Sequence, residues 1–395
     1  MYTPPTVEEL RPPERTLVGP GPSAIHPRVY RAMTTPVTGH LDDFYVEVMN
    51  DVQALLRYVF QTENEHTFAV SGPGSAAMEA AFVNLVEPGE TVLVPGNGYF
   101  GDRMGTIVER AGGEAVSVDA PWGAALEPAT VEAAVEEHDP AVIGITHGET
   151  STGVRQPAVD DITRIAHDHD AYVVLDAVAT LGGVELYTDE WDVDVVYAGS
   201  QKCLSAPPGA SPVTMSDRAV EKVRTRDAPV ESWYLDLENL WSYWGPDPGY
   251  HYTDSISTTY ALREALRIVA EVGLDAYWDR HRRVSTAMKE GLEAMGLSLA
   301  VDESCWLRTL SPVGVPAGVD PGQVTSRLKS EYGIEIVGGL GETEGEILRV
   351  GCMGHSARAK NAVYLVSSLG SVLAEHGVEV DVEAGIDATR RTLEG

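Results

Sequence analysis

One lysine in this chain stands where burial is expected. Lys202 follows the apolar run Asp194–Ala198, and small and apolar residues surround it up to Gly209. Burial costs an ammonium group several kcal/mol unless the group has a use there. Lys202 is therefore the lysine placed where a neutral amine could attack a carbonyl group. The other four lysines occur in patterns typical of exposed surface: Lys222, Lys289, Lys329 and Lys360.

A carboxylate closes a neighbouring apolar run. The strand predicted over Ala171–Asp176 ends at Asp176, and a buried carboxylate requires a cationic or donor partner. Ligands of parallel sheets bind at the carboxyl ends of strands, so Asp176 and Lys202 are expected to face one site. A lysine that forms a Schiff base, with an aspartate that keeps a ring nitrogen protonated, is typical of pyridoxal phosphate sites. The sequence therefore predicts this cofactor, with Lys202 and Asp176 as catalytic residues.

A glycine-rich segment, Gly-Pro-Gly-Ser at 72–75, separates a predicted strand, His66–Val70, from a predicted helix, Ser75–Leu85. Free N–H groups and the helix dipole favour a phosphate at such a helix start. The letters also satisfy the dinucleotide fingerprint G-x-G-x-x-A, but the next strand, Thr91–Val94, lacks the terminal acid which that fingerprint needs. A nicotinamide oxidoreductase is thereby disfavoured, and a plain tight turn stays open as an alternative.

Three further segments could contribute to the same site. Phe100 follows the second strand and either stacks on a planar cofactor ring or fills the core. The polar run at 146–153 follows another strand and either bonds the cofactor or forms a capped loop. Arg349, in the strand Ile347–Gly351, suits a bidentate carboxylate ligand or an interdomain salt bridge.

The elements that must position these residues alternate between short apolar runs and amphipathic segments, which predicts βαβ units. After Thr258 the pattern changes to two long helices and then to strand, helix, strand, strand, helix. We predict an α/β fold with a mostly parallel seven-stranded sheet in a large domain at 23–275. An extended segment at 1–22 precedes it, and a smaller α+β domain at 276–395 follows. The seven strands are predicted over His66–Val70, Thr91–Val94, Glu114–Val118, Ala141–Thr146, Ala171–Asp176, Asp194–Ala198 and Pro212–Met215.

The chain is strongly acidic, with 60 Asp and Glu against 28 Lys and Arg and a net charge of −32. A nucleic-acid-binding protein would need the opposite sign, so that class is strongly disfavoured. Arginine outnumbers lysine 23 to 5. An acidic, lysine-poor surface is favoured in a cytosol of molar salt, where screening suppresses self-repulsion. The composition predicts a halophilic source, and an acidic mesophilic enzyme is the alternative.

The sequence indicates neither export nor a membrane. The first 16 residues are rich in Pro and Glu, and no apolar run is long enough to span a bilayer. The three cysteines have neither CxxC nor metal-ligand spacing. We therefore expect a cytoplasmic protein without a metal site or a disulfide framework.

Together these segments resemble the class V aminotransferases of fold type I, in particular the serine–pyruvate/alanine–glyoxylate aminotransferase family. The likeness covers nearly the whole chain, and the motifs occur in the family's order. It rests on 19–23, 39–40, 71–74, 97–98, 146–149, Asp176, 199–202, 338–340 and 348–351.

The resemblance implies a homodimer with its active site at the subunit interface. It also implies a ping-pong reaction that moves an amino group from alanine or serine to glyoxylate or pyruvate. Lys202 would form the Schiff base and Asp176 would hold the pyridinium. The remaining roles are phosphate binding by Gly74, Ser75 and Gln201, ring stacking by Phe100, a bond near the phenolic oxygen from Thr150, contact with the neighbouring subunit's phosphate by Tyr250 and Thr253, and substrate binding by Arg349 and Gly39.

Two departures from the family's pattern concern the cofactor. Pro73 stands where members often carry Ser or Thr, and Ser75 where they often carry His, which removes one phosphate donor. Some relatives have Trp in place of Phe100. No second arginine is evident for a side-chain carboxylate, which favours small amino donors.

Two other functions remain open from the residues alone. A lyase such as a cysteine desulfurase would need a reactive cysteine on a mobile loop. A non-catalytic ligand-binding protein of the same fold would have no reason to keep a costly buried Lys–Asp pair.

Overall fold

The computed structural model of the protein describes residues 2–246 and 248–394. The strands are β1 Thr16–Leu17, β2 His66–Gly72, β3 Thr91–Pro95, β4 Glu114–Val118, β5 Val142–Thr146, β6 Gly148–Glu149, β7 Val154–Arg155, β8 Tyr172–Asp176, β9 Val195–Tyr197, β10 Gly209–Met215, β11 Leu310–Gly314, β12 Ile334–Glu335, β13 Val337–Gly338 and β14 Ile347–Gly351. The helices are α1 Pro27–Met33, α2 Asp43–Phe60, α3 Gly74–Leu85, α4 Tyr99–Arg110, α5 Pro128–His138, α6 Val159–Asp168, α7 Asp217–Arg224, α8 Leu237–Trp244, α9 Ile256–Val272, α10 Leu274–Ala294, α11 Pro321–Tyr332, α12 Ala359–Glu375 and α13 Val382–Glu394. Single 3-10 turns occupy Glu303–Cys305, Gly341–Thr343 and Gly354–Ser356.

A seven-stranded sheet forms the centre of the large domain, in the order β2-β10-β9-β8-β5-β3-β4. All pairs are parallel except the two made by β10. The central strands are almost entirely buried Val, Ile and Leu, as expected for a sheet covered on both faces. The strand order reverses between β3 and β5, and ligands of such sheets bind at this switch point. The predicted mostly parallel seven-stranded sheet is confirmed.

The apolar core is divided into two main clusters. One lies around the large sheet and ends with Tyr277 and Trp278, whereas the other begins again at Val284 and continues through α11, β14 and α12. Helix α10 therefore contributes its first turn to one core and its remainder to the other. This division supports a domain boundary near the start of α10; the exact division at 275/276 stays a prediction.

The N-terminal segment belongs partly to the small domain. Strand β1 pairs in parallel with β12, and Val18 is buried in the small-domain core. The Gly351 N–H donates to the Val18 carbonyl oxygen at 2.7 Å. The segment was expected only to be extended, and pairing across more than three hundred residues has no local signal.

Other differences from expectation are also tertiary in origin. In the small domain the sequence predicts one strand over 334–337, but the structure has two short strands there, β12 and β13, in different sheets. Helix α13 was not predicted; it packs on α10, where a Cβ on Gly291 would lie 2.9 Å from the Gly385 carbonyl oxygen. Such close helix contact stabilises a segment whose own apolar pattern is weak. Within the described residues, no helix has the length and apolarity required to cross a membrane.

Candidate active site

Lys202 lies in the loop after β9, and the N-terminal segment folds against it. Its Nζ donates a hydrogen bond to the Pro20 carbonyl oxygen. A Cβ on Gly21 would lie 2.7 Å from the Lys202 Cδ, so a glycine is needed for this approach. The Ser23 hydroxyl donates to the Lys202 carbonyl oxygen at 2.6 Å. Burial lowers the pKa of Lys202 to about 8, because the ammonium loses its hydration.

Asp176 is the last residue of β8, and its side chain is held by two donors. The Val178 N–H donates to Oδ1 at 2.8 Å and the Tyr197 hydroxyl donates to Oδ2 at 2.9 Å. The residue is 3% exposed, and burial raises its pKa to about 6 although both donors and the Lys202 charge oppose the rise. A cationic ligand facing this carboxylate would restore its charged form.

Gly74 and Ser75 form the first turn of α3, directly after β2. Pro73 is the N-cap and offers no side-chain hydrogen bond to the turn, so its N–H groups are open to an anion. A Cβ on Gly74 would lie 3.1 Å from a Val178 methyl carbon. The amide oxygen of Gln201 is buried without a hydrogen-bond partner among the described residues. An unsatisfied buried amide beside a helix start indicates a ligand with polar atoms.

Helix α4 carries two residues of the site. Phe100 lies in its first turn, and its N–H donates to the Glu149 Oε2 at 3.0 Å. Arg103 lies one turn later, with its guanidinium carbon 4.8 Å from the Phe100 ring centre. Its Nη1 donates to the Ser75 Oγ at 3.1 Å. Arg103 thus places a positive charge beside the start of α3.

The apolar spacing of the sequence predicts a helix over Asp102–Ala111. This start is three residues later than the observed one, and Arg103 was missed for that reason. A start at Tyr99 puts Phe100 and Arg103 at i and i+3, on one face of the helix. That spacing was the available signal.

Glu149 and Thr150 follow β5 and are both buried. Ser151 donates to the Glu149 Oε1 through its hydroxyl at 2.6 Å and its N–H at 2.8 Å. Burial raises the pKa of Glu149 to about 7, although these donors oppose the rise. Since Glu149 also accepts from the Phe100 N–H, it ties the polar loop to the first turn of α4.

Arg349 lies in β14 and is 9% exposed. Its Nε donates to the Gly338 carbonyl oxygen at 2.8 Å and its Nη1 to the Thr150 carbonyl oxygen at 3.3 Å. Burial lowers its pKa, and within the described residues it makes no salt bridge. The interdomain salt bridge considered from the sequence is therefore not formed there. A buried guanidinium without a carboxylate partner is suited to an acidic ligand.

These side chains surround a cavity of about 200 Å³. Its lining includes the first turn of α3, the side chains of Asp176 and Lys202, and the ring of Phe100. The lining matches pyridoxal phosphate, which needs an anion site, a carboxylate for its ring nitrogen, an amine for its aldehyde and an apolar ring contact. The cavity is lined by Pro73, Gly74, Ser75, Met78, Phe100, Arg103, Gly148, Thr150, Asp176, Val178, Ala179, Gln201 and Lys202.

Four of the expected residues do not line this cavity. Arg349 contacts the lining residue Thr150, and the other three are exposed residues of their own subunit. Tyr250 is 69% exposed, and its ring lies 5.5 Å from the His40 ring. Thr253 and Gly39 are also exposed. Their expected roles therefore require a second subunit.

Comparison with known proteins assigns the family. Residues 28–359 match the model of the family described as Aminotransferase class-V. An alanine–glyoxylate aminotransferase of Drosophila melanogaster is 37% identical over 97% of this chain and 99% of its own. An (S)-ureidoglycine–glyoxylate transaminase of Bacillus subtilis is 35% identical over 96% and 95% of the two chains. The chain belongs to the class V aminotransferases.

Solved structures agree with this family. A crystal structure of an alanine–glyoxylate aminotransferase from Nostoc sp. matches with a TM-score of 0.92 and 45% identity, covering 93% of this chain and 97% of that one. A pyridoxamine–pyruvate aminotransferase from Mesorhizobium loti matches with a TM-score of 0.91 and 28% identity, covering 96% of each chain. The predicted fold type I architecture, pyridoxal phosphate dependence and transaminase activity are confirmed.

Proposed function

We propose that this class V aminotransferase moves the amino group of a small amino acid, alanine or serine, to glyoxylate or pyruvate. The observation that carries the proposal is the buried guanidinium of Arg349, which forms no salt bridge with the described residues and donates to the Thr150 carbonyl oxygen beside the Lys202 cavity. It offers one carboxylate site. Arg103, which lines the cavity, is engaged with Ser75 at the proposed phosphate-binding start of α3. Substrates with a single carboxylate fit this arrangement, and glyoxylate occurs in the names of both curated relatives.

Lys202 is the base in this proposal. Pyridoxal phosphate supplies, when bound, a ring that accepts electrons from the substrate's Cα. The Lys202 Nζ takes the proton from the substrate Cα, which requires the neutral amine. A pKa lowered to about 8 by burial provides that form at a useful fraction near neutral pH.

Asp176 holds a proton on the ring nitrogen. Its two oxygens are fixed by Val178 and Tyr197, so the carboxylate does not reorganise as charge moves. Asn in its place would preserve the shape and lose the charge.

The other contacts hold the cofactor. Gly74, Ser75 and Gln201 would bind the phosphate, with the Arg103 guanidinium compensating for the donor lost at Pro73 and the His replaced by Ser75. Phe100 would stack on the ring, and Thr150 would donate near the phenolic oxygen. We assign Glu149 a positioning role, since it orients the segments that carry Phe100 and Thr150.

A homodimer completes the site in this proposal. Tyr250, Thr253 and Gly39 would reach the partner subunit's cavity. Exposed apolar side chains support an interface on this side of the molecule, among them Val37, Leu41, Phe44, Trp233 and Tyr234.

Mixing two inactive variants tests this arrangement. K202A lacks the amine, and the double variant Y250A/T253A lacks the donated residues. After denaturation and refolding together, about half of the dimers should be mixed, each with one intact site, restoring about a quarter of the wild-type activity. Mixtures that stay inactive while sedimenting as dimers would contradict shared sites.

Steady-state kinetics test the substrate assignment. Initial rates measured against L-alanine at several fixed glyoxylate concentrations should give parallel double-reciprocal lines, the pattern of a ping-pong reaction. L-Serine and pyruvate should also react. Aspartate and 2-oxoglutarate should be at least about tenfold poorer, because a second carboxylate would remain unpaired. Equal rates with the dicarboxylic pair would overturn the small-substrate assignment while leaving transamination intact.

The desulfurase alternative is disfavoured by the cysteines. Cys203, Cys305 and Cys352 are all buried, and burial raises the pKa of each thiol. A persulfide-forming cysteine needs an accessible thiolate. A cysteine desulfurase structure from Thermococcus onnurineus is 12% identical and shows only the shared fold. We also propose that the protein functions in a reducing cytoplasm, because its three cysteines are free thiols.

A further inference from the structure

A second cavity, of about 290 Å³, lies behind the lysine loop and outside the active site. Two arginines and two histidines line it, together with apolar and hydroxyl groups, and none of its lining residues is acidic. In a chain of net charge −32, a basic, acid-free cavity is unusual. The four basic residues are His26, Arg280, His355 and Arg358.

The two arginines are not neutralised by the described part of the chain. Neither Arg280 nor Arg358 forms a salt bridge there, and the Arg280 Nε is buried without a hydrogen-bond partner. The Arg280 Nη2 donates to the Gly354 carbonyl oxygen at 3.1 Å, and its guanidinium carbon lies 4.1 Å from the Tyr277 ring centre. Glu264 is the acidic residue whose charge acts on His26. It is already paired with Arg28 at 2.6 Å and with Arg267 at 2.8 Å.

The start of helix α12 adds to this positive field. Arg358 is its N-cap and makes no side-chain capping bond, and the first turn contains no acidic residue. Lys360 lies in that same turn. Cations at a helix N-terminus oppose the helix dipole, whereas an anion there is stabilised by the dipole and the free N–H groups. A bound anion would account for the presence of both Arg358 and Lys360 at this helix start.

His26 can also donate to such a ligand, whereas the His355 ring accepts a hydrogen bond from the Arg358 Nη2. The His26 Nδ1 accepts from the Arg28 N–H at 3.1 Å, which leaves Nε2 as its protonated nitrogen. The two imidazole rings lie 4.7 Å apart. Burial lowers the pKa of His355 to about 4, and every neighbouring charge, from Arg358, His26, Arg280 and Lys360, acts in the same direction.

We propose that this cavity binds a dianionic oxyanion, either inorganic phosphate or a phosphomonoester, between Arg280 and Arg358. Both guanidinium groups line the cavity and can supply charge-assisted donors, and the dipole of α12, whose N-cap is Arg358, favours an anion near its start. The site is separate from the cofactor's phosphate site, and the proposal does not depend on which amino acids the enzyme uses.

The cavity is connected to the catalytic lysine by short hydrogen bonds. The His355 N–H donates to the Ser205 Oγ at 2.7 Å, and Ser205 and Ser23 share a bond of 3.0 Å. Ser23 in turn donates to the Lys202 carbonyl oxygen at 2.6 Å. An anion held by α10 and α12 therefore stabilises the packing of the small domain on the lysine loop.

Calorimetric titration of the holoenzyme tests the site. The bound cofactor occupies its own phosphate site, so titration of inorganic phosphate at constant ionic strength reports only on other sites. The proposal expects saturable binding that is weakened about tenfold or more in R280Q and in R358Q. R283Q is the matched control, since Arg283 is exposed on the same helix and carries the same charge. A parallel titration with glycerol 3-phosphate distinguishes the two ligand sources.

Two outcomes would overturn the proposal. One is the absence of saturable binding of either compound to the wild-type holoenzyme. The other is equal weakening by R283Q, which would indicate general charge attraction. If R280Q or R358Q does not fold, a crystal structure of the wild-type holoenzyme with selenate tests the anion site instead. An anomalous peak between Arg280 and Arg358 supports the site, and peaks only elsewhere refute it.

Discussion

Lys202 and Asp176 line one cavity and Arg349 contacts Thr150 in its wall, and each of these three charged groups is shifted or held by its surroundings. Burial favours the neutral amine of Lys202 and the neutral acid of Asp176 in the absence of a ligand. A protonated ring nitrogen facing Asp176 would lower its pKa again and stabilise its charged form. Arg349 is positioned only by two carbonyl oxygens, so its charge is left for a substrate.

Arg349 can be tested by replacement. R349Q should raise the KM for glyoxylate and lower kcat/KM about 100-fold or more, since about 3 kcal/mol is lost with a buried charged pair. R349K should be intermediate, because it keeps the charge and loses the fork. The visible absorption of the bound cofactor should be unchanged in both variants. An unaltered kcat/KM in R349Q would contradict the assignment.

The pKa of Lys202 predicts how the apoenzyme takes up its cofactor. Only the neutral amine attacks the aldehyde, and its fraction rises with pH up to the pKa of about 8. The rate constant of covalent attachment, followed by stopped-flow absorption, should rise about tenfold per pH unit below 8 and level off above it. K202A serves as the control without covalent attachment. A midpoint near the ordinary lysine pKa would show that burial does not activate this residue.

At the scale of elements, each parallel strand delivers one group to the same edge of the sheet. This is why the sequence alone was sufficient to predict Lys202, Asp176 and the Gly74–Ser75 turn together: short apolar runs followed by polar residues identify carboxyl ends. Arg103 could not be identified from strand ends, because its role depends on where α4 begins. The β1–β12 pairing depends on contacts between distant segments, which local patterns do not encode.

Two glycines of α4 form a matched pair for testing the helix position. A Cβ on Gly101 would lie 1.8 Å from the Pro95 carbonyl oxygen, whereas one on Gly105 would make ordinary contacts at 3.6 and 3.7 Å. G101A should lower the free energy of unfolding by about 1–3 kcal/mol and weaken cofactor binding, since Phe100 and Arg103 would be displaced. G105A should change stability by no more than about 1 kcal/mol, towards stabilisation. Chemical denaturation and cofactor titration measure both effects, and equal behaviour of the two variants would contradict the packing.

For the whole molecule, the hydrophobic core is divided into two main clusters, and α10 contributes residues to both of them. The two cores can be predicted from the hydrophobic pattern of the sequence. The contact that the N-terminal segment makes with the small domain cannot be predicted in this way. The acidic surface is a property of the molecule as a whole. Its self-repulsion opposes the compact state unless salt screens it.

Salt dependence tests the predicted halophilic character. Between 0.1 and 2 M KCl, the free energy of unfolding should rise by about 2 kcal/mol or more, with most of the rise at the lower concentrations where the screening length changes fastest. Urea unfolding at each KCl concentration measures it, and sucrose controls for exclusion of cosolutes from the surface. A stability that does not change with KCl would favour the acidic mesophilic alternative.

The central claim is amino transfer by a cofactor bound through Lys202, and one absorption experiment tests it most directly. The spectrum of the purified protein in high salt is recorded before and after adding L-alanine, and again after adding glyoxylate. We expect a visible cofactor band that bleaches with alanine and returns with glyoxylate. K202A should not show this cycle. A wild-type protein that stays colourless after addition of pyridoxal phosphate would contradict it.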